Sequence, residues 1–293
     1  MPLRFYSQTF SLRLSLTATI LNATCRSLEP FKNVESYATT LSFLRGEYRY
    51  TCLCSLAYLN FPHSCGIIIA MIFKPDLTIL PPPQLHLWPE LDATPEHFTL
   101  YGGTALALHL GHRTSVDFDF FSNQSFDPIR LAQTIPYLKG AESVQVAPDT
   151  LKCRIDRDGP VLVSFFGGLG LGQAATRDQA EGHTIYVASL LDIAGTKVAV
   201  VQQRAEAKDY IDIDALLRHG IDLPSALAAG RVVYGRSFNP MIALKALSFF
   251  DDVPTLPADV RGRLSAAVEA VDPTRLAALT PYAKRTDDNG YTP

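Results

Sequence analysis

Two aspartates occupy alternate positions in residues 116–121, which read VDFDFF. Because side chains of a β-strand point alternately to its two faces, this segment predicts a strand with Asp117 and Asp119 on one face and Phe118 and Phe120 on the other. Two neighbouring carboxylates repel each other unless a cation neutralises them. The pair therefore predicts a site for a divalent metal ion, Mg²⁺ or Mn²⁺, both of which prefer oxygen ligands.

A glycine turn lies upstream of the aspartates, at the distance of one helix and one further turn. Gly102, Gly103 and Thr104 lead into an apolar helix over residues 105–110, which Gly111 ends as a C-cap. The first turn of a helix presents free backbone N–H groups and the positive end of the helix dipole, and both favour a phosphate. We therefore expect the glycine turn to bind the β- and γ-phosphates of a nucleoside triphosphate (NTP), beside the metal.

The glycine turn, the helix and the strand are together the parts of a polymerase-beta-like nucleotidyltransferase site. In such a site, metal ions activate an attacking hydroxyl group and stabilise the leaving pyrophosphate. Many of these enzymes carry a third acidic residue on a neighbouring strand. Here residues 162–168 read LVSFFGG, with Ser164 where the acid is expected. Either two aspartates are sufficient for the metal, or catalysis is weakened.

Residues 101–121 resemble the nucleotidyltransferase toxins of the AbiEii/AbiGii abortive-infection type. They share with these toxins the glycine turn and helix, a His-Arg-x-Ser/Thr turn at His112 and Arg113, and the Asp-x-Asp-Phe-Phe strand. The resemblance covers about residues 85–250. It implies an α+β fold with a polymerase-beta-like nucleotidyltransferase core, a mixed or antiparallel sheet flanked by helices, and a C-terminal helical region after it.

A second tract carries the resemblance further along the chain. Ser189 caps a helix predicted over residues 190–203, in which Lys197 has apolar neighbours and therefore needs a partner or an anion. AbiEii-type proteins have such a lysine-bearing helix, followed by an Arg-x-x-x-Lys/Arg-Asp-x-x-Asp stretch. The resemblance implies catalytic roles for Lys197, on the nucleotide phosphates, and for Asp212. It implies nucleotide-binding roles for the remaining members of the stretch, Arg204, Lys208 and Asp209.

The charged stretch also has a purely structural interpretation. An unbroken helix would bring Arg204, Lys208 and Asp212 within about 60° of Lys197 around the helix axis. With a break near Arg204, the three later residues still recur at every fourth position. That spacing is typical of a solvated helix face with an ion pair between Lys208 and Asp212. The apolar surroundings of Lys197 favour the functional interpretation.

The elements around the site follow from local patterns. Residues 71–190 are predicted to form the nucleotidyltransferase core and residues 191–280 a helical region. Three short strands, near residues 144–147, 151–155 and 161–166, are expected to continue the sheet as antiparallel strands. The glycine-rich residues 167–172 lack a strand–helix context for phosphate and are interpreted as a flexible turn. Lys245 matches a family lysine loosely and is a candidate phosphate or RNA contact.

Residues 1–70 differ in composition from the rest of the chain. They hold four of the five cysteines and only three acids, Glu29, Glu35 and Glu47. A transit peptide and a metal site at Cys52 and Cys54 are the alternatives considered, but these cysteines lack zinc-ligand spacing. We interpret residues 1–70 as an N-terminal extension that is disordered or not native. A reducing cytoplasm is expected, and no apolar run is long enough to predict a membrane span.

The sequence thus predicts Mg²⁺-dependent transfer of a nucleoside monophosphate from an NTP to an acceptor. The resemblance implies the toxin of a toxin–antitoxin pair, with RNA, tRNA above all, as the acceptor and a cognate antitoxin as a partner. The net charge of −3 argues against a protein that coats DNA in general. Two alternatives stay open: transfer to a protein or small molecule, and a nucleotide-binding module that has lost turnover. The sequence decides neither the NTP nor the acceptor.

Overall fold

The computed structural model describes residues 38–45, 48–55, 71–276 and 278–285. Two strands, β1 (Ala38–Arg45) and β2 (Tyr48–Ser55), pair with each other in a two-stranded sheet. The sequence patterns do not predict these two strands. The rest of the prediction for residues 1–70 lies outside the described residues.

A mixed eight-stranded sheet organises the chain from Met71 onward. Its strands, in chain order, are β3 (Met71–Phe73), β4 (Thr99–Tyr101), β5 (Asp117–Phe121), β6 (Glu142–Ala147), β7 (Thr150–Asp156), β8 (Pro160–Phe166), β9 (Asp178–Ala180) and β10 (Tyr186–Val187). Their order across the sheet is β3-β9-β10-β4-β5-β8-β7-β6. The three predicted strands, β6, β7 and β8, are confirmed. Each is antiparallel to the next, whereas β8 runs parallel to β5.

The centre of the sheet has one apolar and one polar face. Phe118 and Phe120 are fully buried on the apolar face, where Trp88 packs 6.3 Å from Phe118 between ring centres. The adjacent strands continue this face with buried side chains, namely Leu151, Cys153, Ile155, Val161, Val163 and Phe165. Asp117 and Asp119 lie on the opposite face. The predicted alternation of β5 is therefore confirmed.

Helices flank the sheet and continue beyond it, which confirms the predicted α+β arrangement. They are α1 (Pro82–Leu87), α2 (Gly102–Leu110), α3 (Pro128–Thr134), α4 (Leu190–Val200), α5 (Ala207–Arg218), α6 (Leu223–Tyr234), α7 (Pro240–Leu247) and α8 (Ala258–Glu269). In the part of the chain that the structure describes, no helix is both long enough and apolar enough to cross a membrane. The division between core and helical region at residue 190 stays a prediction.

Helix α4 ends earlier than predicted. Ser189 caps it by accepting a hydrogen bond from the Asp192 N–H, as expected, but the helix stops at Val200, and Glu206 is extended before α5 begins. Residues 202–206 offer no large apolar side chain to the core, and helices in proteins depend mainly on such packing. The unbroken helix is therefore wrong, and the alternative with a break near Arg204 is confirmed.

The junction between α4 and α6 is close-packed. A Cβ atom on Gly195 would lie 2.8 Å from the carbonyl carbon of Ala229 in α6, so that only glycine fits at this crossing. This crossing anchors α4, and with it Lys197, against the rest of the helical region.

Candidate active site

The glycine turn contacts the second aspartate directly. Strands β4 and β5 pair Tyr101 with Asp119, and the chain turns from β4 into α2 at the next residue. Gly102 has a left-handed φ of +77°, and a Cβ atom on it would lie 3.0 Å from Oδ2 of Asp119. The sheet therefore brings the start of α2 and a carboxylate of β5 to the same place, as the sequence predicts.

The start of α2 has the features of an anion site. Its N-cap residue, Tyr101, provides no side-chain hydrogen bond to the first turn. The N–H groups of that turn are thus left to a ligand or to water. The Thr104 hydroxyl, by contrast, is buried and hydrogen-bonds with Ser115 Oγ at 2.8 Å and with the main-chain carbonyl of Asp117. Thr104 therefore presents only its backbone to a phosphate, while its side chain ties α2 to β5.

The two aspartates differ in exposure. Asp117 is exposed and Asp119 is half-buried. Burial raises the pKa of the Asp119 carboxyl, the nearby Ser164 hydroxyl opposes this rise, and the charge of Asp117 raises the pKa further. Ionising both carboxyls is therefore unfavourable in the protein alone. A bound cation would remove that penalty.

The donor set fits a magnesium-type ion. Mg²⁺ is usually bound by one or two carboxylates together with substrate phosphates and water. Within residues 71–276 and 278–285, no group of three or more His, Cys, Asp or Glu side chains is arranged to hold a metal ion. Asp117 and Asp119 would therefore hold such an ion only with oxygen atoms from a substrate and from water. That requirement links metal binding to nucleotide binding.

Ser164 stands where a third acid was expected. The register of β5 and β8 places it directly opposite Asp119, and its side chain is buried. Its hydroxyl is close enough to the Asp119 carboxyl to oppose the rise in the pKa of that group. Ser164 therefore faces Asp119 as a neutral hydroxyl group and brings no negative charge of its own.

Lys197 lies in a buried ion cluster with two aspartates. Its Nζ is 2.9 Å from Oδ1 of Asp209 and 2.6 Å from Oδ2 of Asp212. Lys197 is 5% exposed and the two aspartates are 0% exposed. The partner that its apolar surroundings require is thus supplied by α5. Its positive charge still acts on Asp119, where it opposes the rise in the pKa of that carboxyl.

Two residues of the turn after α2 complete this cluster. Arg113 donates two hydrogen bonds to Asp212, from Nε to Oδ1 at 2.6 Å and from Nη2 to Oδ2 at 2.9 Å. His112 Nε2 lies 2.7 Å from the same Oδ1. Burial alone would raise the pKa of Asp212, but these hydrogen bonds and the charge of Lys197 hold it well below its usual range. Asp212 is therefore an ionised anchor whose two oxygens are fully engaged.

Arg113 also connects the ion cluster to the glycine turn. A Cβ atom on Gly103 would lie 2.3 Å from Nη2 of Arg113, so glycine is needed for the guanidinium to pack there. The Arg113 side chain is 20% exposed. In the sequence, Arg113 is recognisable only as part of the His-Arg-x-Ser/Thr motif, which gives it no role of its own. An arginine in the turn after the helix, together with an aspartate in a buried helix, was the signal available.

The remaining cations of the second tract lie farther toward solvent. Arg204 donates from Nε to Oδ2 of Asp209 at 2.9 Å, and its pKa is raised first by that bond and also by the charge of Asp119. Lys208 pairs with Glu206 at 2.8 Å. The predicted Lys208–Asp212 ion pair is wrong, because Asp212 is turned into the core toward stronger partners. Arg204 therefore lies beside the aspartates, whereas Lys208 is held at the surface.

Lys245 lies on the exposed side of α7. Among the described residues it has no ion-pair partner that would fix its position. Its proposed contact with phosphate or RNA stays a prediction.

The chain is similar to several known proteins. A family model described as "Nucleotidyl transferase AbiEii toxin, Type IV TA system" matches residues 90–280. An uncharacterized protein of Aquifex aeolicus (strain VF5) is 33% identical over 159 residues, which make up 53% of this chain and 74% of that protein. Among solved structures, MenT4, a nucleotidyltransferase toxin from Mycobacterium tuberculosis H37Rv, has a TM-score of 0.44 and 19% identity, covering 64% of this chain and 82% of MenT4. The family match includes every residue of the candidate site.

Proposed function

The chain belongs to the AbiEii family of nucleotidyl transferase toxins of type IV toxin–antitoxin systems, and we propose that it transfers a nucleoside monophosphate from an NTP to a hydroxyl group of an RNA, with tRNA as the expected class. The observation that carries the proposal is the contact between the glycine turn and Asp119. A helix end suited to phosphate and a carboxylate pair suited to a divalent cation meet at one point. A metal-bound nucleotide requires that combination.

The nucleotide would lie along the start of α2. The N–H groups of Gly103 and Thr104 bind its β- and γ-phosphates in this proposal. The guanidinium of Arg113 packs against Gly103 and so adds a fixed positive charge close to the phosphates. Arg204, which is close enough to Asp119 to be affected by its charge, adds a second and more exposed positive charge. Lys197 acts chiefly by holding α5, and so Asp209 and Asp212, against the turn that carries Arg113.

The aspartate pair would hold Mg²⁺ or Mn²⁺. When bound, such an ion neutralises phosphate charge and makes a hydroxyl group a better nucleophile. In the transfer itself, the acceptor oxygen forms a bond to the α-phosphorus while the bond from that phosphorus to the bridging oxygen breaks, so that pyrophosphate leaves and the hydroxyl proton is released. The chain contributes by orientation, since the Thr104 hydroxyl fixes α2 against β5 and Ser164 faces Asp119 as a neutral hydroxyl group.

The proposal is tested with the full-length chain and each α-³²P-labelled NTP in turn, together with Mg²⁺ and total cellular RNA. We expect label in a tRNA-sized band with at least one NTP, and none with the Asp117→Ala/Asp119→Ala variant. Addition of EDTA should abolish the signal. Label on protein or on a small molecule, with none in RNA, would overturn the RNA acceptor and support one of the alternatives. No transfer to any acceptor would overturn the proposed reaction.

A further inference from the structure

A row of polar side chains crosses the open face of the sheet beside the aspartates. Strands β5, β8 and β7 are neighbours, and their register pairs Asp119 with Ser164 and Ser164 with Lys152. Directly paired residues of adjacent strands carry their side chains on the same face. Lys152 therefore lies on the face of the catalytic carboxylates, two strands away from Asp119.

Lys152 differs from the other cations near the site in its partners. Arg113 is paired with Asp212, Arg204 with Asp209, and Arg154 with Glu142. In the described part of the chain, Lys152 forms no ion pair with any carboxylate, and its Nζ lies 5.5 Å from the centre of the Phe166 ring. It is half-buried. No carboxylate of the described residues is therefore in ion-pair contact with Lys152. Its ammonium group is close enough to Asp119 to oppose the rise in the pKa of that carboxyl.

The position of Lys152 relative to the phosphate site indicates on which side of the reacting phosphorus it lies. The glycine turn contacts Asp119 from the side of β4, and the sheet order β4-β5-β8-β7 places Ser164 and Lys152 on the other side. In nucleotidyl transfer, the attacking and leaving oxygens lie roughly in line on opposite sides of the phosphorus. If the pyrophosphate end lies at the glycine turn, the acceptor approaches from the side of Lys152.

We propose that Lys152 is the cation on the acceptor side of the site, where it takes the place of a second metal ion, so that the enzyme binds one divalent cation per nucleotide. This inference rests on the proposed function. Ser164 removes the carboxylate that a second ion needs, and a nearby ammonium group repels such an ion. As the acceptor oxygen bonds to the α-phosphorus and the bond to pyrophosphate breaks, negative charge spreads over the phosphoryl oxygens. Lys152 stabilises that charge from the attacking side.

The first test compares Lys152→Gln, Lys152→Arg and Arg154→Gln in the full-length chain, by pyrophosphate release with total RNA. Arg154 is a matched control because it lies two residues along β7, on the same face, but is exposed and paired with Glu142. We expect Lys152→Gln to lower kcat by about a hundredfold with the KM for NTP within about twofold. Lys152→Arg should recover most of the activity, and Arg154→Gln should match the wild type. Full kcat in Lys152→Gln, or a rise in KM alone, would overturn the proposal.

The second test counts bound Mn²⁺ by electron paramagnetic resonance in the complex with an α,β-methylene NTP analogue. The wild type should bind one Mn²⁺ per nucleotide. The Lys152→Gln/Ser164→Asp variant, which restores a third carboxylate and removes the ammonium group, should bind two. Two Mn²⁺ ions in the wild type, or one in the double variant, would contradict the inference. Because this count needs no turnover, it separates a failure of the inference from a failure of the proposed reaction.

Discussion

Gly102 faces the carboxylate of Asp119 so closely that a Cβ atom on it would lie 3.0 Å from Oδ2. The two residues belong to different elements, the start of α2 and the middle of β5, and the pairing of β4 with β5 brings them together. A phosphate at the helix end and a metal ion on the carboxylate would therefore be neighbours. We therefore expect glycine at position 102 to be needed for activity as well as for its left-handed φ.

Substitution of Gly102 by alanine is expected to reduce nucleotidyl transfer. Gly182 provides a matched control, since its φ is also +77° but a Cβ atom on it would have nothing within 4 Å. Both Gly→Ala changes should lower the free energy of unfolding by about 1–2 kcal/mol, because an L-residue is strained at this φ. Only Gly102→Ala should also lower kcat/KM, by about tenfold to a hundredfold, since its methyl group displaces the Asp119 carboxylate. Equal activity of the two variants in the labelled-NTP assay would contradict this.

Substitution of Asp119 by asparagine should separate catalysis from stability. Burial raises the pKa of Asp119, so the folded protein retains a proton that the unfolded chain has lost, and this group's contribution to stability falls as the pH rises through the folded pKa. Asp119→Asn removes that effect. Its free energy of unfolding at pH 8, measured by urea denaturation, should be no lower than that of the wild type. Transfer should fall by about a hundredfold or more. A destabilised variant would show that Asp119 is chiefly a structural residue.

Removal of the Asp212 carboxylate should destabilise the fold. Asp212→Ala removes one of the two carboxylates that hold the buried Lys197 and leaves Arg113 and His112 without their carboxylate acceptor. Breaking a buried ion pair in this way costs about 3–5 kcal/mol. Lys208→Ala is the control from the same helix, and we expect a change within about 0.5 kcal/mol because Lys208 is exposed. Chemical denaturation measures both. Similar stabilities for the two variants would refute the assignment of Asp212 as the anchor.

The ion cluster has a defined pH dependence as well. The folded pKa of Asp212 is lowered, so its stabilising contribution is fully present above the unfolded-state pKa and is lost as the pH falls through the folded value. In Asp212→Ala, the destabilisation relative to the wild type should therefore shrink toward strongly acidic pH. A destabilisation that is independent of pH would point to lost packing instead of lost charge.

Sequence patterns were sufficient where the governing interactions are local. The period of two in β5 fixes which side of the strand carries Asp117 and Asp119. The left-handed Gly111 ends α2 as expected, with its N–H bonded to the carbonyl of Ala107. The turn from β4 into α2 at Gly102 follows from local sequence for the same reason, whereas phosphate binding there stays a prediction. Each of these features depends on residues within one element or one turn.

The partners within the ion cluster could not be predicted in this way. Arg113 and Asp212 are 99 positions apart, and nothing local distinguishes Asp212 from the other acids of α5 as the partner. The fourfold spacing favoured Lys208 instead, because an exposed helix pairs charges along its own face. Because α5 is buried against the turn after α2, Asp212 pairs with Arg113 instead. Lys152 was missed for a related reason, since its place beside Asp119 depends on the register of three strands.

A buried acid that is not one of the candidate site residues provides a pH-dependent test of the fold. Asp178 is 8% exposed and lies 3.8 Å from Nε2 of the buried His109. Burial, together with the charge of Asp192, raises the pKa of Asp178 to about 7. Burial lowers the pKa of His109 to about 4, although its hydrogen bond to the Ala188 carbonyl opposes the shift. At pH values between its ordinary and its folded pKa, Asp178 therefore holds a proton that the unfolded chain releases. In the corresponding range for His109, the folded protein lacks a proton that the unfolded chain binds.

These opposite shifts make Asp178→Asn an informative variant. The contribution of Asp178 to stability falls as the pH rises toward 7, whereas that of His109 is lost as the pH falls from its unfolded pKa toward 4. Asp178→Asn removes only the first effect, so its free energy of unfolding should exceed that of the wild type by about 1–3 kcal/mol at pH 8. The difference should vanish near pH 4, and Asp251→Asn, at an exposed aspartate, should show none. Urea denaturation from pH 4 to 8 measures the difference, and a constant one would show that Asp178 is ionised in the folded protein throughout.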